Sequence, residues 1–244
     1  MTNKSYVPLD QNALFDSPFH RDYWRLAAGE FRSLRVLILA ALLTALRIAI
    51  KSVKIPIAAD LYITFGFLVN AVGSMVYGPV VAVLTSAVSD TVGALLFPTG
   101  TYFLPFLLEE IAGGVIFALF YYRARITTTR VLLGRLAVTV VCNLILNPLF
   151  MMWYYALYIG KAYTFMTIPR LAKNIALFPV QTVLLVLLFR LLLPVTNQLK
   201  MTHADPSSLR ITRKDVVSLI VLTVAAAAIV ILYFFLIYKY PIYK

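Results

Sequence analysis

This sequence is poor in charge, poorer still in acid, and nearly without cysteine and histidine: of 244 residues 10 are Asp or Glu, two are His and one is Cys. Cys142 falls inside an apolar run, so an intramolecular disulfide is excluded and no thiolate cluster can hold a metal. His20 and His203 both lie in polar stretches, which argues against a zinc enzyme built within a membrane. No G-x-x-x-x-G-K-[ST] sequence occurs. Gly160-Lys161 is followed by Ala162 and lacks the preceding glycine, so the chain has no P-loop with which to hydrolyse ATP. The first 33 residues carry Asp10, Asp16, Asp22 and Glu30 and no apolar core of a cleavable signal, so insertion through the first span is expected. Neither a cofactor, a metal nor an enzymatic reaction is expected.

What is abundant is apolar surface, with 61% hydrophobic residues and a mean hydropathy of +0.87. A bilayer core takes about 20 mostly apolar residues per helix, and spans are predicted near 35–52, 61–77, 79–97, 101–122, 131–155, 169–193 and 215–238. Segments of about ten residues with strict alternation are missing, so the spans read as helices and the fold as an all-α integral membrane protein. The net charge of +12 follows topology rather than nucleic acid. Lys4, Arg21, Arg25, Arg32 and Arg35 precede the first span; Arg123, Arg125, Arg130 and Arg135 flank a central turn; Arg190, Lys200, Arg210, Arg213 and Lys214 follow the sixth. That side is expected to be cytoplasmic, with the N-terminus inside and Lys244 outside. Lys51, Lys54, Lys161, Arg170, Lys173 and Lys239 fall on the other side, with Arg47 inside the first span.

Residues 1–14 read as a polar leader. After Ser17-Pro18, Phe19, Tyr23, Leu26 and Ala27 recur on one face opposite Arg21, Arg25 and Arg32, the pattern of a helix lying in the inner lipid interface. Gly78-Pro79 and Pro98-Thr-Gly100 predict tight turns, and Asn147-Pro148 predicts a kink where proline frees a carbonyl. The expected organisation is a leader over 1–33, a membrane domain over 34–194, a cytoplasmic linker over 195–214 and an additional transmembrane helix within 215–244.

Polar side chains at membrane depth are expensive and mark functional sites by default. Pro169 suits the first turn of a helix, on which Arg170, Lys173, Asn174 and Gln181 share one stripe. Arg47, Lys51 and Lys54 form a second stripe at the same end of the bundle. Two basic stripes converging on one mouth suit an anionic, hydrogen-bonding ligand, whereas each cation alone would suit snorkelling to headgroups. Asn143 and Asn147 lie four apart on the fifth span and serve either a site or helix-to-helix hydrogen bonding. Asp90 reads as a structural cap. Glu109 and Glu110 point about 100° apart, so one of them at most is expected to be central to a pocket. Paired glutamates are similar to those of membrane proteases that process lipidated proteins, but Gly114 stands where such enzymes carry arginine. Tyr102, Phe103, Trp153, Tyr154, Tyr155, Tyr158 and Tyr163 suit an interfacial belt, from which one or two would stack on a flat ring.

Over about residues 34–194 the chain resembles the S components, the substrate-binding membrane subunits, of energy-coupling factor (ECF) vitamin transporters. The residues that carry the resemblance are Ala41-Leu-Leu-Thr-Ala45, Tyr77-Gly-Pro79, Ser89-Asp-Thr-Val-Gly93, Pro98-Thr-Gly-Thr-Tyr-Phe103, Asn143-Leu-Ile-Leu-Asn-Pro148, Tyr158-Ile-Gly-Lys-Ala-Tyr163 and Pro169-Arg-Leu-Ala-Lys-Asn174. The later motifs are similar to the folate-specific branch. The resemblance implies a six-helix bundle, here with one extra C-terminal helix, in a bacterial cell membrane. It also implies uptake driven by a membrane coupling subunit and two ABC-type ATPases. A substrate site is implied at Arg170, Lys173, Asn174, Arg47, Lys51, Asn147, Glu110 and Tyr102, with the cations toward the glutamate tail of folate and Asn147, Asn174 or Glu110 toward its pterin. Ala41 and Ala45 are implied to dock the coupling subunit. Another flat vitamin or precursor, or a ligand-free assembly role, stands as the alternative.

Overall fold

The computed structural model describes residues 13–58, 61–98, 100–165 and 167–199, and positions 209, 217, 221, 224 and 228 beyond them. The helices are α1 (Arg21–Gly29), α2 (Leu34–Ile50), α3 (Gly66–Leu96), α4 (Leu104–Tyr121), α5 (Thr128–Val138), α6 (Asn147–Tyr154) and α7 (Ile168–Gln198); the strands β1 (Lys54–Ala58) and β2 (Leu61–Thr64) form an antiparallel hairpin. The polar leader up to residue 12, most of the linker and the bulk of the final span lie outside the described residues, as do Lys239 and Lys244. α7 runs unbroken through Pro194 to Gln198, past the expected start of that linker.

The hairpin fills the connection between the first two predicted spans and, with β2, replaces the first part of the second. Ile55, Ile57, Tyr62, Ile63 and Thr64 favour extended backbone, and the helix expected over 61–77 begins only at Gly66. The turn foreseen at Gly78-Pro79 is present: Gly78 takes φ 73°, ψ −179°, and divides α3 into two arms. The arms run back along each other, since Thr85 of the second reaches the Tyr77 hydroxyl of the first at 3.1 Å. A side chain at Gly78 would also meet the Tyr122 ring at 3.0 Å, so only glycine suits both the conformation and the space.

α5 and α6 form one continuous membrane-length run, Thr128–Ile159, widened into π geometry over Thr139–Leu146 and again over Tyr155–Ile159. The proline expected to kink this span sits in the first turn of α6. The backbone adapts there by letting the Asn147 N–H donate to the Cys142 carbonyl five residues back. With the two arms of α3 counted separately, six helical segments make the bundle among the described residues. Leu171, Val180, Leu184, Leu187, Leu191 and Val195 are exposed along α7, as a lipid-facing surface requires.

α1 turns 83° from α2. The face predicted to enter lipid packs against protein instead: Tyr23, Leu26 and Ala27 are buried, and the Tyr23 hydroxyl donates to the Ala118 carbonyl at 3.0 Å. Phe19 stays 94% exposed. The Tyr122 hydroxyl donates to Glu30 Oε1 at 2.7 Å, and Arg123 pairs with the same oxygen at 3.2 Å. Gly78, Tyr122, Glu30 and the start of α2 therefore gather at one end of the bundle, which fixes the functional cavity toward the other.

Candidate functional site

A cavity of about 420 Å³ opens toward the end opposite that cluster. Every helix from α2 to α7 except α6 beyond Asn147 contributes to it. Five cations (Arg47, Lys51, Arg135, Arg170 and Lys173) and three carboxylates (Asp90, Glu109 and Glu110) line it, with the amides of Asn70, Asn143, Asn147, Asn174 and Gln181.

The two walls differ in how their charges are met. On the α2–α4 side, Arg47 is buried and pairs with Glu110 Oε2 at 3.0 Å while donating to Ser86 Oγ at 3.0 Å. Lys51 bridges Glu110 Oε1 at 3.1 Å and Asp90 Oδ1 at 3.0 Å. Gly93 makes this possible, because a Cβ there would stand 2.7 Å from Lys51 Cδ. The Ser89-Asp-Thr-Val-Gly93 motif thus supplies an acceptor and, one helical turn on, the room for the lysine to reach it. Asp90 is accordingly an ion-pair partner across two helices, where a cap was expected. The side chain of Lys54 lies outside the described residues.

On the α5–α7 side, cations meet neutral groups. Arg170 is 2% exposed and donates to the Asn147 side-chain oxygen and the Tyr163 hydroxyl, and its Nε has no hydrogen-bond partner among the described residues. Asn174 donates to the Arg170 carbonyl at 2.9 Å and accepts from Asn143 at 3.0 Å. Asn147 donates to Glu109 Oε2 at 2.9 Å. Amides placed this way fix the guanidinium without neutralising it, which leaves its charge for a ligand.

Of the eight residues predicted for the substrate, seven line the cavity: Arg47, Lys51, Glu110, Asn147, Arg170, Lys173 and Asn174. Tyr102 does not; it is 41% exposed and its hydroxyl lies 3.2 Å from that of Thr91. Both glutamates line the cavity, although their helical spacing argued for one, because the cavity is wide enough to be faced from two angles. Arg135 was expected on the cytoplasmic flank. It is buried, lines the cavity and donates to Gln181 Oε1. Its signal was its spacing: Arg135, Val138 and Cys142 fall on one helical face, followed by Asn143 and Asn147. Ala41 and Ala45 are exposed on the far side of α2 from Thr44 and Arg47, which are buried.

The chain is similar to membrane transport subunits of known family. The family described as ECF-type riboflavin transporter, S component, matches residues 32–200. A curated folate transporter, FolT of Clostridium novyi (strain NT), is 35% identical over 134 residues, covering 55% of this chain and 74% of the relative. FolT of Leuconostoc mesenteroides is 26% identical over 149 residues, covering 60% and 80%. Among solved structures, a crystal structure of FolT bound with folic acid is 34% identical, with a TM-score of 0.55, covering 62% of this chain and 88% of that one.

Proposed function

The chain belongs to the S components of ECF transporters, and from that premise we propose that it is the membrane subunit that captures folate for uptake. The observation that carries the choice of ligand is the surplus of cations on the α5–α7 wall. Riboflavin, the ligand in the family's description, has no carboxylate, whereas the glutamate moiety of folate carries two. Arg170 and Lys173 on this wall take those carboxylates. Arg47 and Lys51, expected beside them, already hold Glu110 and Asp90. Asn147 and Asn174, expected to read the pterin, hydrogen-bond Arg170 and so stand with the carboxylate-binding end, and Phe67, Asn70 and Gln181 of the same cavity are left for the pterin. FolT relatives and the folic acid-bound FolT neighbour support the same ligand.

Without a P-loop in its sequence, the subunit depends on others for energy: a membrane coupling protein and two ATPases. Ala41 and Ala45 form a small-residue strip on exposed α2, which lets a partner helix approach closely. The end bearing α1, Arg32, Arg35, Arg123 and Arg125 faces the cytoplasm by the distribution of its cations, and the cavity opens outward. The host membrane is the bacterial plasma membrane.

The test is mass spectrometry of the small molecule that accompanies the purified protein, followed by titration of the emptied protein. Folate, bound more tightly than riboflavin, is the expected result. Riboflavin alone, or neither, would overturn the proposal.

A further inference from the structure

Arg135 lines the cavity and has no carboxylate within ion-pair distance among the described residues. It is 4% exposed. Its guanidinium lies 4.9 Å over the Phe67 ring, one nitrogen is held by Gln181, and Nε is buried without a hydrogen-bond partner. A buried cation with an orphaned donor is costly unless a ligand completes it. Gln181 and Arg170 stand eleven residues apart on α7, roughly 16 Å of helix at about 1.5 Å per residue. Of the cavity's five cations, Arg170 and Arg135 are therefore anchored at different levels of α7, Arg170 on its first turn and Arg135 at Gln181, about three turns further along.

We propose that Arg135 is a specificity-determining residue: its guanidinium donates to an uncharged ring carbonyl at the buried end of the ligand, against the flat face of Phe67. The inference rests on the folate reading. Two carboxylates need two cations, and Arg170 and Lys173 supply them, so the ring end is the one that reaches Arg135. The Phe67 ring lies against Arg135, and Phe117, Val138 and the amide of Asn70 also line the cavity, which suits a flat ring with polar edge groups better than a second charged tail. A ring that carries an amino group in place of the carbonyl presents a donor to a donor, and is disfavoured because the guanidinium has no acceptor to offer.

The test is titration of the purified full chain with folic acid, pteroic acid, which lacks the glutamate, and aminopterin, which has an amino group in place of the ring carbonyl. The unaltered protein is expected to bind folic acid at least ~10-fold tighter than aminopterin. Arg135→Gln is expected to weaken folic acid and pteroic acid by the same ~10- to 100-fold factor while aminopterin changes less than ~3-fold, so the preference disappears. Equal affinities of the unaltered protein for folic acid and aminopterin would overturn the assignment, and this arm needs no variant to fold. An Arg135→Gln loss shared equally by folic acid and aminopterin would assign the residue to structure alone. A loss confined to folic acid and spared in pteroic acid would place Arg135 at the glutamate end. Failure of the unaltered protein to bind any of the three would overturn the folate reading itself, and this inference with it.

Discussion

The α2–α4 wall and the α5–α7 wall of the cavity each carry buried cations, yet only the first balances them within itself. Arg47 and Lys51 meet Glu110 and Asp90 in a closed network. Arg170 meets an amide and a phenol, Arg135 an amide. Membrane burial makes this difference informative. A matched cation holds helices together, whereas an unmatched one is tolerated because something outside the chain matches it. On the proposed reading the first wall is scaffold and the second holds the ligand.

The comparison predicts its largest effect where a matched pair is broken. Glu110→Ala strands Arg47 and leaves Lys51 with Asp90 alone, and removal of one partner of a buried pair costs about 3 to 5 kcal/mol. Thermal unfolding in detergent is expected to show a marked loss of stability, and Arg47→Met combined with Glu110→Leu is expected to regain most of it. If Glu110→Ala keeps the parent's stability and loses only folate affinity, the first wall reads ligand as the second does.

A smaller effect, of a different kind, is expected on the second wall. Arg170→Gln removes the charge but keeps a polar group beside Asn147 and Tyr163. Folate affinity is expected to fall by about 1.5 to 3 kcal/mol, roughly tenfold to over a hundredfold, with unfolding temperature changed little. Calorimetric titration beside a melting curve separates the two outcomes. Unchanged affinity with lower stability would make both walls scaffold.

Much of this contrast was legible in the sequence, and the limits of legibility have physical causes. The stripe of Arg170, Lys173, Asn174 and Gln181 follows from helical spacing alone, and the cavity takes all four. The break at Gly78-Pro79 follows from local chemistry. Pairing did not follow, because it depends on which helix lies beside which: nothing in the spacing of Arg47, Asp90 and Glu110 tells that three helices bring them to one point. Arg135 was misplaced because cations near a turn usually mark the membrane edge, a rule that outweighed the helical face it shares with Val138 and Cys142, and the fold brings it inward to Gln181. The second strand of the hairpin was lost in an apolar run that hydropathy cannot tell from a helix. α1 was read correctly as amphipathic, but an apolar face does not say whether protein or lipid covers it.

The smallest effect on the isolated subunit is expected behind the scaffold wall. α2 turns Arg47 inward to the ion-pair network, while Ala41 and Ala45 are exposed on its outer side, four residues and about one turn apart. A tryptophan there meets lipid in the isolated protein and disturbs no buried contact, so Ala41→Trp and Ala45→Trp are expected to leave folate affinity within about 0.5 kcal/mol of the parent. In the assembled transporter the same indole fills the strip where a partner helix must approach closely, and ATP-driven folate uptake into cells or proteoliposomes is expected to be abolished. Normal uptake by both variants would show that the strip faces lipid and that the coupling subunit docks elsewhere. Loss of binding along with uptake would show that the outer face of α2 communicates with Arg47 and Lys51, so that the scaffold wall takes part in holding the ligand after all.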